Sequence, residues 1–283
     1  MRKVLLSFTA AALLVGCQQD DKKPAATAAP GGSTGSVPTD VEGRLARLEK
    51  KLDKITGFLK QAVPPELDTN QTYAVPVEPG DPVIGPADAK VTIVEAYEFL
   101  CPYCAMMAPT MEQVMAAYPK DVRIVPKYML IHGAPAAPSG LAMCAAGKQG
   151  KAAEMQKALW DSIFPNPQGG AARDKATVEG VVATAGTLGL DTTKFKADLE
   201  GPECQNWLQQ SGKTLQKFGV SGTPSFFING KPAQARDLAS FKALIDAELK
   251  AVDASGLKAA DYYEKAVVAK GQPKAVMISP FDE

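Results

Sequence analysis

Cys101-Pro102-Tyr103-Cys104 sets two thiols within one turn of chain. Two cysteines separated by two residues can close a small disulfide or hold a reactive thiolate. An apolar run, Val91-Thr92-Ile93-Val94, leads in through Glu95-Ala96-Tyr97-Glu98-Phe99-Leu100, and a helix-compatible stretch from Ala105 to Tyr118 leads out. Strand, C-x-x-C and helix is the order in which this pair reads as redox chemistry. A zinc site needs four ligands, and no second C-x-x-C exists. Exchange needs a thiolate that is stable as a leaving group. Lowering a cysteine pKa from about 8.5 to about 4 takes ~6 kcal/mol, of which a helix dipole supplies only ~0.3–2 kcal/mol. The remainder is expected from the N–H groups of Tyr103 and Cys104, aimed at the Cys101 sulfur. Pro102 suits the first helical turn because it has no N–H to leave unpaired. Cys101 is then the exposed nucleophile, and Cys104, one turn inside, resolves the mixed disulfide.

Several elements must position this pair. Val91 to Tyr97 reads as the strand that delivers it. Tyr73-Ala74-Val75-Pro76-Val77 is a short strand candidate, and Val122 to Leu130 is another. Pro126 inside the latter lacks a ladder donor and implies a bulge or an edge. From Pro138 to Cys204 the periodicity is helical, with Met155, Leu159, Trp160, Ile163 and Phe164 on one face and Gly189 as a C-cap. Asn206 to Phe218 is helical again. Gly222-Thr223-Pro224-Ser225-Phe226-Phe227-Ile228 leads to Asn229-Gly230, a strong hairpin signal. A helix carrying Leu238, Phe241, Leu244, Ile245 and Leu249 follows, and residues 254–283 are expected to form a helical tail. Glu98 is expected at the surface. His132, the sole histidine, is expected to cap a turn. Met106, Met107, Met111 and Met115 could suit Cu(I), but helical packing explains them better.

The N-terminus assigns a compartment. Met1-Arg2-Lys3 is basic, and Val4 to Val15 is an apolar run too short to span a bilayer, as in a signal peptide over 1–16. Leu14-Val15-Gly16-Cys17 resembles the bacterial lipobox, which implies lipidation of Cys17. Gln18 rather than aspartate after it leans toward the outer membrane. The expected location is therefore the periplasmic side of a bacterial envelope. Of five cysteines, Cys144 and Cys204 remain. A structural disulfide is the economical assignment in such a compartment, and two buried free thiols are the alternative. Formal net charge is zero, so no nucleic-acid footprint is expected.

Residues 17–38 read as a disordered tether. Val41, Leu45, Leu48, Leu52, Ile55 and Leu59 then recur at heptad spacing within a helix over 39–62, and Thr39-x-x-Glu42 offers a capping box. Leu45, Leu52 and Leu59 fall at a positions, while Val41, Leu48 and Ile55 fall at d. Arg44 and Glu49 could pair between parallel chains. This seam at 41–59 predicts a homo-oligomer, and leucine at a with isoleucine at d favours trimers or tetramers. A linker over 63–72 precedes the main domain at 73–253.

Phe99-x-Cys101-Pro102-Tyr103-Cys104 with Gly219-Val220-Ser221-Gly222-Thr223-Pro224-Ser225-Phe226-Phe227-Ile228-Asn229-Gly230 resembles the DsbA-like thiol–disulfide oxidoreductases over roughly residues 75–250. The resemblance implies an α/β thioredoxin fold with an inserted helical domain at about 134–204. It implies Cys101 as nucleophile, Cys104 as resolving thiol, Pro224 as the cis-proline facing them, and Glu95 as the buried acid that relays protons to Cys104. Thr223 and Pro224, with Pro102 and Tyr103, would form the substrate platform, and Cys144 with Cys204 matches a structural pair in some relatives. The implied partners are protein thiols or disulfides and a protein that restores the redox state. Neither cofactor nor metal is implied. A holdase or copper carrier built on the same groove is the alternative. Thr223 and Tyr103 look more like the isomerase and reductase branch, and the inserted domain looks more like the oxidase branch.

Overall fold

A computed structural model describes residues 40–279. The signal peptide, Cys17, the tether and Thr39 lie outside the described residues. The chain divides into two units, Met1–Ile55 and Thr56–Glu283. Helix α1 covers Val41–Ala62. Its first turn is capped by Asp40, whose carboxylate accepts the Gly43 N–H. No residue of α1 is buried, and Val41, Leu45, Leu48, Leu52 and Ile55 are all more than half exposed.

The second unit is built around a four-stranded sheet. β1 (Glu66–Leu67) comes first, then β2 (Val91–Tyr97), α2 (Pro102–Ala117) and β3 (Val122–Tyr128). The insertion follows with α3 (Ala137–Gly147), α4 (Ala152–Ile163), α5 (Val178–Thr187), α6 (Thr192–Glu200) and α7 (Pro202–Lys217). β4 (Ser225–Ile228), β5 (Lys231–Ala233) and α8 (Leu238–Ala254) complete the frame. The strand order is β3-β2-β4-β5, with β2 parallel to β3 and antiparallel to β4. This is the thioredoxin fold carrying a helical insertion.

All seven residues of β2 are buried, as an apolar run at the centre of a two-faced sheet requires. Val91 and Ile93 face Met107, Met111 and Val114 of α2 and Phe241 of α8. Val94 and Ala96 face Tyr73, Leu215 and Phe218 on the other side. Pro126 lies on edge strand β3. Ile124 directs its N–H and carbonyl outward to Ile84, so Pro126, two residues on, turns its missing donor to that same outer side. Asn229 and Gly230 both have positive φ, 45° and 78°, the signature of a type I′ turn. A Cβ on Gly230 would stand 2.4 Å from the Tyr73 carbonyl oxygen, so only glycine fits there.

Two expectations are corrected. Residues 73–77 form no strand. The Tyr73 N–H goes to the Gly230 carbonyl, Pro76 has no donor to extend a ladder, and a lone bridge to Gln272 remains. The tail is helical only in part. After α9 (Ala259–Tyr262) and a π-helical turn over Tyr263–Val268, it becomes extended, and β6 (Met277–Ile278) pairs antiparallel with β1. The Tyr73 hydroxyl, donating to the Asp68 carbonyl at 2.9 Å and lying 3.2 Å from that of Val276, ties the expected linker to the tail.

Candidate active site

The strand-to-helix step after β2 places Cys101 as the N-cap of α2, with Pro102 opening the helix. Cys101 and Cys104 are free thiols, and both are buried. Cys101 is 5% exposed, which corrects its expected exposure. The cis Thr223-Pro224 segment faces it, and the Cys101 thiol donates to the Thr223 carbonyl at 3.4 Å. The Cys101 pKa is pulled down to about 5. A hydrogen bond from the Cys104 thiol is the largest cause, and burial opposes it. The Thr223 side chain and the N–H groups of Cys104 and Tyr103 assist. The two N–H donors named from sequence therefore act behind a thiol that sequence reasoning did not weigh. Cys104 moves the other way, first because burial disfavours its thiolate and then because it donates to Cys101.

Glu95 lies on β2 and is buried, and burial pushes its pKa up to about 8. Among the described residues its carboxylate has no hydrogen-bond partner. It opens instead onto a 240 Å³ cavity lined by Ala108, Met111, Gln156 and Trp160. Tyr97, two residues along the same strand and so on the same face, was missed from sequence. Its hydroxyl is fully buried and unpartnered. Burial, then the nearby Tyr128, Glu95 and Cys104, holds its pKa well above the usual range. The period-2 alternation from Glu95 was the available signal.

Glu98 is fully buried, which corrects its expected surface position. The chain turns inward after β2, with the Cys101 N–H donating to the Glu98 carbonyl at 3.1 Å. Its carboxylate accepts the His132 N–H at 2.8 Å and also pairs with His132 Nδ1. His132 thus anchors the loop after β3 to the segment carrying the motif, rather than capping a turn. Tyr128 holds the same end together. Its hydroxyl accepts the Phe99 N–H at 3.1 Å and donates to the Ala136 carbonyl at 2.9 Å. Phe99 packs on Trp160 with ring centroids 4.5 Å apart.

Cys144 of α3 and Cys204 of α7 are joined by a disulfide inside the insertion. The methionines of α2 divide: Met107 and Met111 are buried beneath the sheet, while Met106 is exposed beside the motif. Tyr103, Met106, Thr223 and Pro224 border a cleft of about 400 Å³ next to the dithiol.

Comparison with known proteins supports a common origin for this frame. A family model described as Thioredoxin matches residues 77–247. A crystal structure of a thioredoxin-like oxidoreductase from Silicibacter pomeroyi DSS-3 is 30% identical. It superposes with a TM-score of 0.53 over 61% of this chain and 94% of that one. The thiol:disulfide interchange protein DsbA of Pseudomonas syringae pv. tomato is 25% identical over 62% of this chain and 77% of its own. A Na(+)/H(+) antiporter NhaA of Herminiimonas arsenicoxydans is 29% identical over 160 residues, 55% of this chain and 24% of its own. The chain therefore spans about a quarter of the antiporters it matches. Among the described residues no helix is long and apolar enough to cross a membrane.

Proposed function

The chain belongs to the thioredoxin family, and from that premise we propose that it is an exported dithiol enzyme exchanging disulfides with client proteins through Cys101 and Cys104. The observation that carries this reading is the asymmetry of the pair. One sulfur, against the Thr223 carbonyl, is held as a thiolate near neutral pH, and the other, behind it, is held as a thiol. Cys101 thiolate attacks a client disulfide, one client sulfur leaves as thiolate, and a mixed disulfide forms. Cys104 then loses its proton and attacks the Cys101 sulfur. The client leaves with two electrons gained and the enzyme is left oxidised. Oxidation of a client dithiol is the same sequence reversed. A stabilised Cys101 thiolate favours the dithiol form and so makes the disulfide form oxidising.

In this reading Glu95 receives the Cys104 proton. A carboxyl with its pKa raised to about 8 is matched to that task at neutral pH. Pro102, Tyr103, Thr223 and Pro224 form the client platform. The basic start, apolar run and lipobox-like Leu14-Val15-Gly16-Cys17 support export and a lipid anchor on Cys17, on the periplasmic side of the envelope and at the outer membrane. The exposed heptad seam of α1 supports a homo-oligomer. A separate protein restores the redox state.

Replacing Cys104 with Ala removes the resolving thiol. The expected result is accumulation of envelope proteins disulfide-linked to Cys101, released by a reductant. If no such adducts form, the enzyme reading is wrong. The reduction potential of the couple then assigns direction, near about −120 mV for an oxidase and near about −270 mV for a reductase.

A further inference from the structure

The cleft beside the dithiol contains one charged side chain, Arg236, among Tyr103, Met106, Met107, Thr223 and Pro224. Tyr103 is 68% exposed and Met106 45% exposed, so this rim is apolar and open. Arg236 also lines a second cavity of about 510 Å³ that runs past Ser225, Phe227 and Gly219. It therefore stands at the junction of two adjoining recesses, one of which borders Thr223, whose carbonyl accepts the Cys101 thiol.

Its own partners are few. Nη1 donates to the Ala235 carbonyl at 2.8 Å, and Arg236 forms no ion pair among the described residues. The nearest carboxylate in sequence is already used. Asp237 caps α8, accepting the Ser240 N–H at 2.9 Å and the Ser240 hydroxyl. Glu66 lines the second cavity but forms no ion pair with Arg236. A guanidinium presents five N–H donors in a planar fork that fits a carboxylate bidentately. A client lying along this groove covers that fork. Covering it with an acidic side chain replaces the lost water, whereas covering it with a lysine or arginine sets like charges together as water is excluded.

We infer that Arg236 is a specificity-determining residue that reads a side-chain carboxylate flanking the client's reacting cysteine, so that acidic-flanked cysteines are exchanged in preference to basic-flanked ones. This inference rests on the exchange reading of Cys101 and Cys104. Selection at this point has a physical reason. Apolar Tyr103 and Met106 grip any chain alike, while a lone cation distinguishes by sign.

The test uses the full chain and disulfide-linked peptides with amidated C-termini, in which Glu, Ala or Lys is scanned along the positions flanking the cysteine. The quantity read is the ratio of exchange rates, Glu peptide over Lys peptide, within each variant, so a general loss of activity cancels. An exposed ion pair contributes up to about 1 kcal/mol, which is about a fivefold ratio at low salt. Molar salt should collapse it in the unmodified protein, where folding is not in question. Arg236→Gln should bring the ratio to about one, and Arg236→Glu should invert it. A ratio of one in the unmodified protein, or one that survives Arg236→Gln, overturns the inference while exchange itself continues. Absence of exchange with every peptide, the Ala series included, overturns the exchange reading and this inference with it.

Discussion

In the dithiol form the Cys104 thiol does two jobs: it is driven toward protonation by burial, and it donates to Cys101, whose pKa falls to about 5. Thiolate absorbance or alkylation of Cys101 followed against pH should therefore show a midpoint near 5. In Cys104→Ala the largest stabilising contact is gone, and the midpoint should rise. An unchanged midpoint would assign the shift to the backbone donors instead. Glu95→Gln keeps the shape of the side chain but cannot take a proton. It should slow Cys104 attack on the mixed disulfide by roughly 10²-fold, the lower end for a general base, while Cys101 alkylation keeps its pH profile. Equal rates in rapid-quench measurements would remove Glu95 from the relay. The two cysteines were legible by spacing, and Glu95 only through the resemblance to the DsbA-like enzymes. The burial of Glu98, its pairing with His132 and the orphan hydroxyl of Tyr97 were not, because each depends on which way a side chain points once strands and loops have met.

At the scale of elements, two features are separable from the chemistry. The first is α1. Its seam residues Leu45, Leu48, Leu52 and Ile55 are exposed, and apolar side chains in register along a helix gain by facing copies of themselves. Leu48→Lys with Leu52→Lys should lower the mass measured by light scattering to that of one chain and leave peptide exchange intact. A mass that does not fall would end the oligomer proposal. The second is the Cys144–Cys204 bridge, which closes a 60-residue separation between α3 and α7. In the chain-entropy treatment a loop of that length is worth about 4 kcal/mol. Replacing both cysteines with Ala should lower the denaturant midpoint accordingly, with the Cys101 titration unmoved. Helix spacing was readable here because an amphipathic period needs no tertiary partner to be seen. The residues 73–77 misled for the opposite reason: apolar alternation announced a strand, but Tyr73 found its donor's partner in the 229–230 turn and Pro76 closed the ladder.

For the whole molecule, Cys101 and Glu95 pull stability in opposite directions with pH. Cys101 is depressed from 9.0 to about 5, so its contribution is full above about 9 and is lost as pH falls through about 5. Glu95 is raised from 4.5 to about 8, so its contribution is full below about 4.5 and is lost as pH rises through about 8. Only the dithiol form carries the first. The stability of the dithiol form relative to the disulfide form should therefore grow as pH rises from about 5 to about 9, measured as the difference in denaturant midpoints. A flat difference would refute the thiolate assignment. Glu95→Gln should flatten the fall with pH that both forms otherwise share.

The sequence by itself determined the frame and singled out the residues to which the proposed chemistry is assigned. A C-x-x-C between an apolar strand and a helix, a hairpin signal and a heptad seam are local patterns, which survive without coordinates of the rest, and the resemblance to the DsbA-like enzymes added Glu95 and Thr223-Pro224 to them. Tertiary structure alone decided what each thiol hydrogen-bonds, that Cys101 is nearly enclosed, that the tail returns to pair with residues 66–67, and that Arg236 stands at the edge of the dithiol cleft. Apart from the Cys104-to-Cys101 hydrogen bond, those facts join residues more than a hundred positions apart, Cys101 to Thr223, residues 66–67 to 277–278 and Tyr103 to Arg236. Burial, solvation and charge pairing belong to such meetings in space, and no spacing along the chain encodes them.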